Sequence, residues 1–142
     1  MAVAVDRLAL IVESYRRLTG EILIDAGDDL WAAPRAIVAH GTERDPIFFY
    51  GNALALSLFE MTPEQFAVLP SRLSAEPLHR DERARLLDRV TRDGYIDDYS
   101  GIRISATGRR FRIEKAIVWN LIDADGAIHG QAATFDRWTM LG

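Results

Sequence analysis

Near the start of the chain, Leu8, Ile11, Val12, Tyr15 and Leu18 recur at three- and four-residue steps. That stripe predicts a helix over Asp6–Leu18. Arg16 and Arg17 fall in its last turn, where positive charge suits the helix dipole, and Gly20 can end it. The next stretch, Ile22–Leu30, has no clear period. Short apolar runs then predict two strands, Ala36–His40 and Ile47–Tyr50, joined by the turn Gly41–Pro46. Asn52 stands where its side chain can accept from the free amides of a helix over Ala53–Phe59. Thr62 followed by Pro63 opens another helix, which reaches Phe66 and is closed off by Pro70. Leu78–Arg92 predicts an amphipathic surface helix. Leu78, Leu86, Leu87 and Val90 lie on one face, Asp81/Arg85 and Asp88/Arg92 are spaced as i,i+4 pairs, and Gly94 stops it.

The last third predicts three long strands, Tyr95–Ala106, Arg110–Ile122 and Ala127–Phe135. Thr107–Gly108 and Asp123–Gly126 are the turns between them. In the middle strand Phe111, Ile113, Ile117, Trp119 and Leu121 share one parity, and Ala116, Val118, Asn120 and Ile122 share the other. Apolar side chains on both faces mean that neither face is fully wet. One face should meet the helical middle; the N-terminal helix, from this chain or a partner, is the expected cover for the other. The resulting expectation is an α+β domain with a five-stranded antiparallel sheet, helices on one face and an N-terminal flanking helix. Residues 1–20 would be the flank and residues 36–136 the core, with no linker or repeat dividing the chain.

Composition narrows the chemistry. The 142 residues contain no cysteine, which excludes thiol nucleophiles, zinc–thiolate sites, iron–sulfur clusters and thiol-linked flavin. No apolar run approaches the roughly 20 residues of a membrane span, and the first residues lack a signal-peptide pattern, so cytoplasmic residence is expected. The formal net charge of −4 argues against a broad phosphate-binding surface.

The element order is that of PAS domains. Several strings carry a closer likeness: Asp45–Phe48, Ala53–Glu60, Leu69–Pro77, Gly94–Gly101, Gly108–Ile113, Val118–Leu121 and Gly130–Ala133. From about Tyr15 onward the chain resembles the bacterial, stand-alone members of the MEKHLA domain family. That family is PAS-related. In plants it lies at the C-terminus of class III homeodomain–leucine zipper transcription factors, where it is thought to regulate dimerisation. The six-letter motif that names the family is not present as a contiguous string, and neither homeodomain nor zipper is present in this sequence. The resemblance implies sensing or regulatory binding, and it supplies neither a ligand nor catalytic residues.

Side chains that could carry chemistry have ordinary alternatives. His40, His79 and His129 show no metal-binding spacing, so no metal is expected; haem is not expected either, since His79 lies in a very polar stretch. Asp123-Ala-Asp125-Gly126 begins like a calcium loop, but the twelfth position is Thr134 where a bidentate glutamate belongs, so the segment reads as a β-turn. Arg103, Arg109, Arg110 and Arg112 make the last sheet locally basic, near Tyr95, Tyr99 and Phe111. The acidic total favours a solvated charged face, and nucleic acid is not expected as a partner. Asp97 and Asp98 point to opposite faces of a strand and form no carboxylate pair. No glycine-rich phosphate loop is present.

The leading expectation is therefore a regulatory sensor or small-ligand- or protein-binding module without catalysis. Tyr50, Asn52, Arg72, Tyr99, Trp119 and Gln131 are the expected pocket-lining residues, between sheet and helical middle. A homodimer is expected through Leu8, Ile11, Tyr15 and Leu18, spaced like two turns of a coiled-coil seam. One alternative is a cone-shaped α+β enzyme of isomerase or dehydratase type, using His40 with an Asp or Tyr as its acid–base pair. Another is an interaction domain with no cavity.

Overall fold

The computed structural model describes residues 6–25, 27–75 and 80–142, apart from the side chains of residues 80 and 83. Helix α1 spans Arg7–Thr19. Asp6 starts it: Oδ1 accepts from the amides of Leu8 at 3.1 Å and Ala9 at 3.2 Å, which have no partner inside the helix. Gly20, at φ 77°, ends it and returns its amide to the Arg16 carbonyl at 2.9 Å. The described residues of Ile22–Leu30 form neither helix nor strand, although Leu23 is buried beneath them.

Strand β1 (Ala36–His40) is buried along its whole length. It lies inside the sheet, pairing antiparallel with β2 (Phe48–Gly51) on one side and with β5 (Ile128–Phe135) on the other. Ile47, expected to open β2, makes an isolated bridge to Pro70 instead. Helix α2 (Ala53–Phe59) stops at Glu60, which adopts the left-handed conformation. Helix α3 (Pro63–Phe66) carries the expected cap in full: Gln65 N donates to Thr62 Oγ1 at 3.2 Å, and Thr62 N donates to Gln65 Oε1 at 3.0 Å. A 3-10 turn, Ser71–Ser74, follows. Helix α4 runs over Arg80–Asp93; Leu78 and His79 lie outside the described residues. Arg92 pairs with its neighbour Asp93 at 3.2 Å, not with Asp88 one turn back.

Strands β3 (Tyr95–Ile104), β4 (Arg110–Ile122) and β5 (Ile128–Phe135) are antiparallel, and the sheet order is β2-β1-β5-β4-β3. The chain runs beyond the expected limit of the core. β6 (Arg137–Leu141) pairs with β4 in the register that β5 has set, so Glu114 faces Arg137 as Ile117 faces Thr134. β6 is β5 resumed after Asp136, on the same edge of β4.

One residue changes the face assignment made from parity. Lys115 has φ 51°, a left-handed conformation that is costly for a residue with a Cβ. The pairing of β3 with β4 shifts beside it, and such a bulge turns every later side chain over. Phe111 and Ile113 consequently face the helical middle, whereas Ile117, Trp119 and Leu121 face the opposite side.

The two faces bury separate cores. On the inner face, Phe48 stacks on Phe66 with centroids 4.2 Å apart, and Phe59 meets Phe111 edge-on at 5.3 Å. Helix α4 extends this layer through Leu86 and Val90, against Ile96 and Val118. The outer face is covered by α1. Tyr15 meets Trp119 edge-on at 4.9 Å, and Trp119 Nε1 donates to the Ile11 carbonyl at 3.2 Å. Ser14 Oγ donates to the Ile122 carbonyl at 3.1 Å and accepts from the Ile122 amide at 2.8 Å.

This packing corrects the expected dimer stripe. Ile11 and Tyr15 are buried on the chain's own sheet, Leu18 packs on the same layer, and Leu8 alone of the four stays exposed. The reason is supply: Ile37, Ala39, Trp119, Leu121 and Ala132 give the outer face an apolar surface that the tethered helix reaches first.

Candidate functional site

Between the sheet and the helical middle lies a narrow cleft of about 50 Å³. Its walls are apolar side chains from β1, β2, α2, α4, β4 and β5, among them Val38, Phe48, Phe59, Leu86, Ile113 and Phe135. Four larger polar groups converge on it: His40, Tyr99, Arg103 and Gln131. Each has a structural reason for its place. His40 ends β1 with its side chain inward, and its Nδ1 lies 2.9 Å from the Gly41 carbonyl. Tyr99 and Arg103 alternate with Gly101 along one face of β3. Because Gly101 has no side chain, the Tyr99 ring lies down along the strand with its hydroxyl where a Cβ would stand. The Arg103 guanidinium rests over that ring at 5.2 Å from its centroid and donates from Nη1 to the Ile102 carbonyl at 3.2 Å.

Gln131 is the best-connected of the four. Its Nε2 lies 3.2 Å from the Leu87 carbonyl, 3.0 Å from Thr91 Oγ1 and 3.1 Å from Asn120 Oδ1. Asn120 Nδ2 in turn donates to the Val90 carbonyl at 2.9 Å. The two amides fasten the central strands to the backbone of α4 at the edge of the cleft.

The expected lining residues divide. Tyr99 and Gln131 line the cleft. Trp119 does not: the turnover at Lys115 puts it on the outer face beneath α1, fully buried. Tyr50 belongs to that outer layer too; burial first, then the charge of Asp29, hold its hydroxyl above the ordinary value of 10.0. Asn52 is a buried cap and not a wall. Arg72 sits at the surface, with Nε 3.1 Å from both carboxylate oxygens of Asp45. Arg103, read as part of a basic sheet surface, is only 8% exposed. Its expected companions are apart from it: Arg109 is paired with Glu60 at 3.2 Å, and Arg112 points to solvent. The signal for Arg103 lies in parity, since it shares a strand face with Tyr99.

The remaining candidates form other things. His129 Nε2 stands 2.7 Å from Asp123 Oδ2 across the β4–β5 turn. That hydrogen bond first, and the Ala127 amide next, hold the Asp123 carboxyl below its ordinary value of 3.8. No group of three or more His, Asp or Glu side chains that could hold a metal occurs among the described residues. Among the described residues no Asp or Glu lines the cleft, which is narrow where the enzyme alternative needs a wide cone. A broader depression of about 230 Å³ lies beside Asp25, Asp28, Arg35 and Asp136, but it is a mostly polar surface hollow. No helix among the described residues is long and apolar enough to cross a membrane.

The model of the MEKHLA domain matches residues 5–140, nearly the whole chain. The chain belongs to the MEKHLA domain family. Among curated relatives of this MEKHLA chain is the homeobox-leucine zipper protein HOX29 of Oryza sativa subsp. japonica. It is 26% identical over 142 residues, with 92% of this chain and 16% of the relative covered. The homeobox-leucine zipper protein ATHB-9 of Arabidopsis thaliana is 27% identical over 146 residues, with 92% and 17% covered. The MEKHLA chain thus spans about one-sixth of the length of these relatives. Among solved structures, a PAS domain from Colwellia psychrerythraea superimposes with a TM-score of 0.65 at 14% identity, covering 78% of this chain and 89% of that one. The light-state dimer of the fungal blue-light photoreceptor Vivid gives 0.66 at 10% identity, covering 94% and 95%. The MEKHLA chain has the PAS fold.

Proposed function

We propose that this MEKHLA domain is a regulatory sensor module that takes a small ligand into the cleft and reports it through α4. The observation that carries the reading is Gln131. Its amide has two hydrogens and three acceptors at similar distances, two of them on α4. A ligand that enters the cleft and engages Gln131 alters which acceptors it holds, and so the seating of the helix. Such a ligand shifts the domain between states only by its difference in affinity for them. A cleft of about 50 Å³ is far below the ~300–1,000 Å³ of a drug-sized pocket, so the ligand is small.

Cytoplasmic residence and self-association belong to the same proposal. With Ile11 and Tyr15 occupied, a second copy would have to use apolar side chains that stay exposed, such as Leu8, Ile22 and Trp31. Native mass spectrometry of the purified protein, with an absorbance spectrum, tests the reading. The expected result is a colourless protein with a non-covalent small-molecule adduct, acquired if need be from a metabolite extract. The bare chain mass under every condition would argue instead for an interaction domain without a ligand.

A further inference from the structure

The charge distribution around the cleft is uneven. Four surface arginines have carboxylate partners at hand: Arg72 has Asp45, Arg89 has Asp98, Arg92 has Asp93 and Arg109 has Glu60. Arg103 is buried, only 8% exposed, yet no carboxylate among the described residues pairs with it. Of its fork of N–H donors, Nη1 alone is engaged among the described residues, by the Ile102 carbonyl. Buried charges in proteins are as a rule paired, because desolvation without a counter-charge is costly. The Tyr99 ring supports the guanidinium from one side and supplies no anion. Arg103 lines a cleft whose walls are mostly aliphatic and aromatic, with His40, Ser74, Tyr99 and Gln131 as its other polar groups.

We propose that Arg103 makes the cleft a receptor for a small monocarboxylate: the carboxylate pairs with the guanidinium and a short apolar tail lies among Val38, Phe48, Phe59 and Phe135. The inference rests on the reading of the cleft as a ligand site and names what it takes. A guanidinium fork matches a carboxylate with two parallel hydrogen bonds. It matches a phosphate as well, and the walls decide between the two. Their polar groups are few (His40, Ser74, Tyr99 and Gln131), and the apolar majority buries a few methylenes better than it serves a phosphate's remaining oxygens. The size agrees, since about 50 Å³ seats a body of a few heavy atoms and no aromatic cofactor. Tyr99 is a positioning residue, and Gly101 gives it the space to lie under the guanidinium.

The test is thermal unfolding of the full chain at constant ionic strength with sodium butyrate, butyramide, sodium phosphate or sodium chloride. Butyrate is expected to raise Tm, by about 4 °C for each further tenfold in concentration once the site is saturated. Butyramide, phosphate and chloride are expected to leave it within 1 °C or so of the buffer value. The butyrate response should vanish in Arg103→Gln and survive in part in Arg103→Lys, which keeps the charge without the fork. The comparison of probes on the unaltered protein stands even if a variant fails to fold. An equal rise with phosphate or chloride overturns the inference. A rise with butyramide and none with butyrate overturns it while leaving the cleft as a ligand site. No response to butyrate or butyramide removes both.

Discussion

Asn52 has no exposed surface, and four hydrogen bonds meet on its side chain. Oδ1 accepts from the amides of Ile37 at 3.0 Å and Ala55 at 3.1 Å, and Nδ2 donates to the carbonyls of Leu30 at 3.0 Å and Arg35 at 2.8 Å. One side chain thereby ties β1, α2 and the irregular segment together. Asn52→Ala leaves several buried backbone groups without partners, and a loss of at least about 3 kcal/mol is expected in urea unfolding. A loss below about 1 kcal/mol would mean that the bond to Ala55 is the only one that matters. The cap is legible in the sequence, because an asparagine stands just before an apolar run. The other three bonds are not, because they join segments that only the folded sheet brings together.

Trp119 and Arg112 lie on one strand and should differ sharply. Trp119→Ala removes a fully buried indole and should cost about 3–5 kcal/mol. Arg112→Ala, at an exposed position, should stay within about 0.5 kcal/mol. Asp123 offers a titration at the same scale. Its carboxyl is held below 3.8 in the fold, so its bonds to His129, Asp125 and Ala127 are fully present above that ordinary value. They are lost as the pH falls through the depressed one. A carboxyl carbon resonance titrating below 3.8 in the native protein, by NMR, is the expected sign; titration above it would contradict the turn geometry.

At the scale of elements, β4 shows how a strong pattern can mislead. Its parity is right on each side of Lys115 and wrong across it, because a single left-handed residue resets a period of two. Lysine gives no hint of that conformation, where glycine or asparagine would. Lys115 is exposed, so its backbone can be tested alone. Lys115→Gly should stabilise by up to about 1 kcal/mol, and Lys115→Val, branched at Cβ, should destabilise. Equal effects from both would mean that the bulge relaxes at little cost. α1 is the second case. The stripe is legible; its destination is not, since a helix that suits a partner's surface suits its own sheet equally. As α1 covers Trp119, Leu121 and Ile37, removal of residues 1–19 should give aggregated or unfolded protein by light scattering and circular dichroism. A soluble, folded truncation product would return α1 to the role of a dimer arm.

For the whole molecule, the order of elements and two of the cleft residues, Tyr99 and Gln131, are legible because strand spacing and turn residues are local signals. Arg103 is obscured by the basic run around it: four arginines in a short stretch read as a wet face until pairing shows that one points inward. His40 is visible as a residue, yet its neighbours come from β3 and β5, distant in sequence. The account's central claim is that the cleft between sheet and α4 is where this domain takes a ligand. The direct measurement is an amide NMR titration of the labelled protein with sodium butyrate, read residue by residue. The predicted result is saturable shifts centred on Tyr99, Arg103 and Gln131, extending to Leu87 and Thr91 on α4 and leaving Trp119 and α1 unmoved. Shifts centred on the outer face, or none that saturate, would contradict it.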